Sequence, residues 1–288
     1  MTTTVQEHIP TLRPRRSAWD RIRPAIVLAL VAVTICIPLW LVLVTSAKTQ
    51  ADALQPSLAL PTQGWHLFDN YTTVFEQGRL GWALLGSVVI VVPSVVLVLV
   101  IGSMASWVLA RRKSRFIATM YALAISGIVL PPAIITLVLL LRQLSLGGTL
   151  TGMVLVYLGI YPSTAIFFIT GFIRTIPIEL EEAARVDGAK PLRIFFTMIL
   201  PLLQPVLATA TILICLYIWN DVFYAFFVIG GRVDTLPLNL FQVASAGLYL
   251  NNWHLIFAYV VSMSVPLVAL FVIAQRRIVA GITGGAVK

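Results

Sequence analysis

Charged residues are scarce in this sequence of 288 residues, since only 11% are Asp, Glu, Lys or Arg, whereas soluble domains carry about 25%. Apolar residues make up 59% of the chain, and the mean hydropathy is +0.95. A water-soluble fold could not bury this many apolar side chains in one core, so the composition excludes a soluble enzyme and a disordered regulator. It predicts an all-α integral membrane protein, because helices satisfy their own backbone hydrogen bonds in lipid.

Residues that serve catalysis, metal binding or nucleotide binding are also rare. The three histidines, His8, His66 and His254, are far apart in the sequence, and Cys36 and Cys215 each lie inside an apolar stretch. The sequence has no H-E-x-x-H motif and no G-x-x-x-x-G-K-[ST] phosphate-binding loop. We therefore expect a protein that is not an enzyme, has no metal site and takes any ATP-derived energy from another subunit.

Six apolar stretches are long enough to cross the membrane, since a helix needs about 20 residues to span about 30 Å of hydrocarbon. None of them contains a lysine or an arginine. Several contain proline, so we expect kinked helices. The predicted spans are Ala25–Thr45, Gly81–Ala110, Phe116–Leu141, Leu150–Ile173, Leu202–Ile229 and Leu255–Ala274.

The basic residues predict the orientation. The net charge is +9, and the lysines and arginines cluster in alternate loops, which is a topology signal and argues against nucleic-acid binding. We expect both termini in the cytoplasm, with residues 1–24 as a basic tail, 25–274 as the transmembrane domain and 275–288 as a C-terminal tail. With this orientation, only four of the twenty basic residues fall outside: Lys48, Arg79, Arg142 and Arg232.

The cytoplasmic loop 174–201 is predicted to contain two short helices. Thr175 is the expected N-cap of the first helix, and Gly188 is expected to end it in a left-handed conformation. The second is expected to begin near Pro191, and its apolar residues have the spacing of one buried stripe. Either a lipid surface or a groove in a partner protein could cover this stripe. The stripe comprises Leu192, Phe195, Phe196 and Ile199.

The same loop carries a recognisable motif. Glu182-Ala183-Ala184, Gly188 and Met198-Ile199-Leu200-Pro201 resemble, in type and spacing, the EAA loop of bacterial ABC-importer permeases, which usually has Ile at the position of Met198. Further short matches resemble the MalG-type permeases of carbohydrate importers, although those often have Phe at the position of Ala47 and Asn-Ser where this chain has Gly86-Ser87. These matches are Ser46-Ala47-Lys48, Asn70-Tyr71, Trp219-Asn220-Asp221, Gln275-Arg276-Arg277 and the segment 284–288.

The resemblance implies a MetI/MalG-like permease fold in the bacterial inner membrane, with loop 174–201 as the coupling helices. It also implies a second homologous permease subunit, a dimer of cytoplasmic ATPase subunits that bind ATP and Mg²⁺, and an extracytoplasmic sugar-binding protein. The residues it assigns to ATPase coupling are Glu181, Glu182, Ala183, Ala184, Asp187, Gly188, Phe195, Phe196 and Pro201. Those it assigns to binding-protein contact are Gly247, Leu248, Tyr249, Leu250, Asn251 and Asn252.

Asp221 is the one ionisable residue in the predicted spans, and two interpretations of it stay open. With Trp219 and Asn220 it could fix the fifth span by hydrogen bonding, or with Tyr217 these residues could line a sugar path. Carriers coupled to ions usually keep several charges at membrane depth, so an ion-coupled carrier for a small polar solute is the less favoured alternative. A permease-like scaffold that does not transport is a further alternative.

Overall fold

The computed structural model describes residues 18–245 and 252–286, and these residues form helices and no strands. Two short π-helical segments, Ala32–Cys36 and Phe195–Ile199, interrupt the α-helices. The α-helices are α1 Ala18–Val31, α2 Ile37–Thr45, α3 Leu67–Glu76, α4 Leu80–Arg111, α5 Arg115–Ser126, α6 Ile134–Gln143, α7 Leu150–Ile160, α8 Pro162–Ile173, α9 Glu179–Val186, α10 Pro191–Ile194, α11 Leu200–Leu202, α12 Gln204–Trp219, α13 Phe223–Ile229, α14 Leu236–Ser245 and α15 Trp253–Ala286.

Three helical stretches are long and apolar enough to cross a membrane: Ile22–Thr45, Leu80–Arg111 and Trp253–Ile273. The number rises to five if each of two bent helix pairs counts as one span. One pair is α7 and α8, bent by 44° where Pro162 follows Tyr161, and the other is Pro191–Leu202 with α12, bent by 77°. The predicted first, second and sixth spans are therefore present as long helices, and the count of six stays a prediction.

The predicted third span, Phe116–Leu141, is not one helix. It divides into α5 and α6, each too short to cross a membrane, with residues 127–133 between them. Pro131 and Pro132 explain the break, since neither has an N–H to donate and each disfavours a helical conformation in the residue before it. The prediction of a kinked but continuous helix was wrong here.

The predicted fifth span, Leu202–Ile229, is also interrupted, between the end of α12 and the start of α13. The carboxylate of Asp221 accepts hydrogen bonds from the backbone N–H of Tyr224 (3.1 Å) and of Ala225 (3.0 Å). It thereby satisfies two N–H groups in the first turn of α13, which have no partner within that helix. Asp221 thus begins a new helix within the predicted span.

The core of the described chain lies where α4 packs against α7, α8 and α12, with α15 on the other side of α12. Small residues allow close packing there, since a Cβ on Gly102 would lie 2.9 Å from the Cβ of Ala165. The first span, in contrast, buries none of its most apolar window within the chain. The final helix continues to Ala286, through most of the segment predicted as a tail, while the predicted basic tail lies outside the described residues as far as residue 17.

Candidate functional site

Helix α9 forms the first half of loop 174–201. It begins at Glu179 after Ile178, and not after Thr175 as predicted, because the Thr175 hydroxyl donates back to the carbonyl of Phe172 at 2.8 Å. Its first turn contains three glutamates, and the positive end of the helix dipole stabilises their negative charges. Gly188 follows the helix with φ +78°, so the predicted left-handed conformation is confirmed.

The second half of the loop begins at Pro191, as predicted, but its buried face differs from the predicted stripe. Ile194, Phe195 and Ile199 are buried, whereas Leu192 is 61% exposed and Phe196 is 48% exposed. The π-helical segment Phe195–Ile199 explains the difference, because a π-turn places residues five apart on one face and shifts the pattern away from α-helical spacing. The prediction of one stripe that includes Leu192 and Phe196 was wrong.

Glu181 is fully buried and ties the loop to the end of α4. Its Oε1 accepts a 2.7 Å hydrogen bond from Nε of Arg111, and its Oε2 accepts one of 3.0 Å from Nε1 of Trp107. A second nitrogen of Arg111 donates to the carbonyl of Ile176 at 3.0 Å. Loss of one partner from a buried, hydrogen-bonded ion pair of this kind strongly destabilises the protein. Glu181 therefore holds α9 against the transmembrane helix α4 and is not on an exposed surface.

The ring of Phe195 lies on the same inner side as Glu181. Its centroid is 5.7 Å from that of Trp107 and 5.0 Å from that of Phe196. Phe195 is buried, so two of the nine residues assigned to ATPase coupling, Glu181 and Phe195, face the interior of this chain.

The remaining residues assigned to coupling are exposed, except for Ala184, which is half-buried. They lie on α9 or in the segment that follows it. They are accompanied by apolar side chains that the motif does not include, above all Val186, which is 87% exposed. Exposed apolar residues in a cluster of this kind are typical of an interaction surface. We call this surface the coupling face. It comprises Glu182, Ala183, Val186, Asp187, Gly188, Leu192 and Phe196, with Pro201 at its end.

The four candidate residues for a substrate path do not act as one group. Trp219 is buried and donates from Nε1 to the carbonyl of Met263 on α15 at 3.1 Å. Asp221 accepts a 2.8 Å hydrogen bond from the hydroxyl of Tyr157 on α7. These contacts support the first interpretation of Asp221, in which the hydrogen bonds of Trp219 and Asp221 fix the fifth span against its neighbours.

Tyr217 and Asn220 are the exposed members of that set. The ring of Tyr217 is 51% exposed and stacks on the ring of Tyr161, with centroids 5.9 Å apart and an angle of 14° between the planes. The amide of Asn220 donates to the carbonyl of Leu216 in its own helix at 2.9 Å. An exposed aromatic face beside an amide group can contact both the C–H faces and the hydroxyls of a polar solute.

Two of the short motif matches lie far apart in sequence but contact each other. The side-chain amide of Asn70 donates to the carbonyls of Ser46 and Lys48, both at 2.9 Å, and the hydroxyls of Ser46 and Tyr71 are 3.2 Å apart. Lys48 is buried, and its ammonium group donates to the carbonyl and hydroxyl oxygens of Ser57. These contacts fasten α3 onto the end of the first span.

The departure from the family pattern at Gly86-Ser87 also has a structural role. A Cβ on Gly86 would collide with the backbone carbonyl oxygen of Asp234, and the Ser87 hydroxyl accepts a 2.8 Å hydrogen bond from the N–H of Leu236. The segment that leads into α14 therefore lies directly on the backbone of α4. Glycine at position 86 is what permits this approach.

Of the predicted binding-protein contacts, residues 247–251 lie outside the described residues. Asn252 is described, and its carbonyl accepts hydrogen bonds from the N–H groups of Leu255 and Ile256 in the first turn of α15. Among the described residues, no group of three or more His, Cys, Asp or Glu side chains could hold a metal ion.

Reasoning from the sequence missed Trp107, Arg111, Tyr157 and Val186. Arg111 was used only in the count of basic residues that predicts the orientation. It lies four residues after Trp107 at the end of a span, and this spacing places both residues on one helix face. Val186 was missed because it lies outside the predicted stripe. An apolar residue at the exposed end of a charged helix nevertheless indicates an interaction surface.

Comparison with known proteins places this geometry in a family. Residues 99–284 match the family described as "Binding-protein-dependent transport system inner membrane component". The chain is 36% identical over 267 residues to the melibiose/raffinose/stachyose import permease protein MelC of Bacillus subtilis (strain 168), covering 90% of this chain and 94% of the relative. It is 30% identical over 266 residues to the diacetylchitobiose uptake system permease protein NgcG of Streptomyces coelicolor, covering 90% and 86%. The resemblance to permeases of carbohydrate importers is thus confirmed.

A solved structure shares the fold. It is that of a bacterial ABC transporter involved in the import of the acidic polysaccharide alginate, and one of its chains aligns with a TM-score of 0.77. The alignment covers 92% of this chain and 99% of that chain at 22% identity, which is a likeness of fold alone. The predicted all-α permease fold is confirmed.

Proposed function

Because this chain belongs to the family of binding-protein-dependent transport system inner membrane components, we propose that it is the sugar-conducting permease subunit of an ATP-driven importer. The observation that carries this proposal is the match, over nine-tenths of the chain, to relatives that are named import permeases for oligosaccharides. The substrate class is therefore a carbohydrate. Energy enters through a separate ATPase, on which ATP and Mg²⁺ bind.

The coupling face is the docking surface for that ATPase. It contains strongly exposed apolar side chains, above all those of Val186 and Leu192, whose contact with water is unfavourable. The carboxylate of Glu182 lies beside them. An amphipathic helix that inserts its exposed apolar residues into a groove is a common mode of protein recognition. Lipid is the less favoured partner, because Glu182 and Asp187 lie on the face itself and anionic lipid surfaces repel carboxylates, although exposed Arg185, Lys190 and Arg193 belong to the same loop.

Glu181 and Phe195 contribute to coupling from the inner side. Because Glu181 is bonded to Arg111 and Trp107 at the end of α4, a displacement of α9 by the ATPase is carried to a helix that spans the membrane. Alternating access needs such rigid connections, since packed helices move as units. Glu181 is thus a positioning residue and not a contact of the ATPase.

The sugar path includes the stacked rings of Tyr217 and Tyr161 and the amide of Asn220, while Trp219 and Asp221 hold the surrounding helices in place. Aromatic faces suit the C–H faces of sugar rings. An ion-coupled carrier is not favoured, because the relatives are permeases of import systems of the binding-protein-dependent family.

The assembly consists of this subunit, a second homologous permease, a dimer of ATPase subunits and an extracytoplasmic sugar-binding protein. Both termini face the cytoplasm of the bacterial inner membrane, and residues 247–252 face the binding protein.

Reconstitution tests the proposal. The chain is co-expressed with a candidate second permease, ATPase and binding protein, and uptake of labelled melibiose, raffinose and diacetylchitobiose into proteoliposomes is measured. Uptake that requires internal ATP and persists when an ionophore collapses the ion gradients is the expected result. Uptake that ignores ATP and stops with the ionophore would support the ion-coupled carrier instead.

A further inference from the structure

A cavity of about 490 Å³ lies where the end of α6, the start of α7 and the end of α13 meet. Arg142 and Arg232 line it together with Ser145, and no acidic residue does. Both arginines belong to the small group of basic residues that the charge pattern places outside the membrane. Because cations are scarce on that side, two in one cavity require an explanation.

The other two outer cations have partners. Lys48 donates to both oxygens of Ser57, and Arg79 lies 3.5 Å from the carboxylate of Asp234. Within the described residues, the guanidinium groups of Arg142 and Arg232 form no ion pair. The cavity therefore carries two positive charges that the described part of the chain does not neutralise.

A pair of glycines brings the two arginines together. The Cγ of Arg142 is 3.3 Å from the position that a Cβ on Gly147 would occupy, and the Cδ of Arg232 is 2.7 Å from the corresponding position on Gly148. Gly148 has φ +74°, and its N–H donates to the carbonyl of Val228, which fixes the loop against α13. Both arginine side chains thus lie against consecutive residues of one anchored turn. Two guanidinium groups that line one cavity repel each other, and an anion bound in that cavity would offset the repulsion.

We propose that Arg142 and Arg232 bind the phosphate of an anionic phospholipid headgroup. Guanidinium groups bind phosphate oxygens through paired, charge-assisted hydrogen bonds, and Ser145 adds a hydroxyl. Val138, Leu141 and Phe227 add apolar side chains to the lining, and the cavity lies at the ends of apolar helices, where headgroups meet acyl chains. Two cations beside apolar side chains fit an amphiphile better than a free ion or an acidic protein side chain.

The test uses the assembled transporter purified in detergent. Native mass spectrometry measures retained phosphatidylglycerol, and thermal melting measures the shift that added phosphatidylglycerol, phosphatidylcholine or inorganic phosphate produces. The variants are Arg142→Gln, Arg232→Gln and their combination. The control is Arg79→Gln, which removes an outer arginine that already has an acidic partner.

We expect phosphatidylglycerol to stay bound and to raise the melting temperature of the native protein, and phosphatidylcholine to do neither. In the double variant its apparent affinity falls about tenfold or more, because a charge-assisted hydrogen bond contributes about 1.5–3 kcal/mol. The Arg79→Gln control keeps the native affinity. If the double variant does not assemble, Arg142→Gln is compared with Arg142→Lys, which keeps the charge.

Three results would overturn the proposal. One is a double variant that retains phosphatidylglycerol as the native protein does. Another is displacement of the lipid by millimolar inorganic phosphate with the same thermal shift, which would make free phosphate the ligand. The third is unchanged lipid retention together with lost stimulation of ATP hydrolysis by the binding protein, which would assign the arginines to a protein contact. None of these readouts depends on which sugar is transported.

Discussion

At the scale of single residues, Gly188 determines how α9 and α10 meet. Its φ of +78° is unfavourable for a β-branched residue, and nothing else lies within 4 Å of where its Cβ would be. Within this chain, a substitution therefore acts through the backbone and not through a steric clash. The left-handed conformation costs about 1–2 kcal/mol for a residue with a side chain.

We predict that Gly188→Val assembles normally but transports less sugar for each ATP hydrolysed. The strain lowers the population of the native turn about 5- to 30-fold relative to altered conformations. The ratio of uptake to hydrolysis in proteoliposomes measures the effect. The matched control is Gly171→Val on α8, where a Cβ also meets nothing within 4 Å and φ is not positive. An equal ratio of uptake to hydrolysis in both variants would mean that the turn at Gly188 does not couple ATP hydrolysis to transport.

The buried ion pair of Glu181 and Arg111 gives a second prediction at this scale. Glu181→Gln leaves the partly buried Arg111 side chain without its counter-charge and should destabilise the protein by about 3–5 kcal/mol at most, with part of that recovered by the remaining hydrogen bonds. The thermal midpoint in detergent reports this loss. Glu179→Gln, on the same helix but exposed, is the control and should melt like the native protein.

The double variant Glu181→Met/Arg111→Met separates stability from coupling. Apolar replacement of both partners of a buried ion pair often restores stability, so its melting temperature should return toward the native value. The uptake-to-hydrolysis ratio should stay low, because Met cannot bond to Trp107 or to the carbonyl of Ile176. A double variant that is stable and fully coupled would show that the pair contributes to stability alone.

At the scale of helices and loops, the contact of α14 with α4 depends on Gly86. We predict that Gly86→Ala displaces the segment 234–236 and costs about 1–3 kcal/mol, as overpacking does. Gly159→Ala on α7, where a Cβ meets nothing within 4 Å, is the control. In a background without Cys36 and Cys215, Thr235→Cys reports the displacement, since Thr235 is buried. Maleimide labelling should be faster when Gly86→Ala is also present, and an unchanged rate would contradict the predicted close contact.

Local signals predicted the end of α9 and the beginning of α10, because Gly188 and Pro191 act through their own backbones, whereas the predicted beginning of α9 was wrong. The buried face was not predictable, because the π-helical segment at Phe195–Ile199 changes the spacing, and its Phe195 ring packs against Trp107, far away in the sequence. The interruption at Asp221 was missed for a similar reason. Its carboxylate caps α13 and also accepts from Tyr157, 64 positions earlier, and no local pattern encodes such a contact.

At the scale of the whole molecule, composition predicted the class of protein, and spacing predicted the family. Several residues of the EAA motif are exposed, while Glu181 and Phe195 beside them are buried and anchor the loop from inside. The apolar first span, exposed along its length within this chain, agrees with a subunit surrounded by lipid and a second permease. We propose accordingly that this chain forms one half of the transport pathway and that a separate ATPase subunit drives it.

Cysteine cross-linking from the coupling face to the ATPase tests this claim most directly. Val186→Cys is introduced in the co-expressed complex, in a background without Cys36 and Cys215. The control is Gln55→Cys, which lies between the predicted outer residues Lys48 and Arg79. We predict that Val186→Cys cross-links to the ATPase in a nucleotide-dependent way and that Gln55→Cys does not. Sugar uptake by a complex in which position 186 never reaches the ATPase, and is labelled by water-soluble maleimide in every nucleotide state, would contradict it.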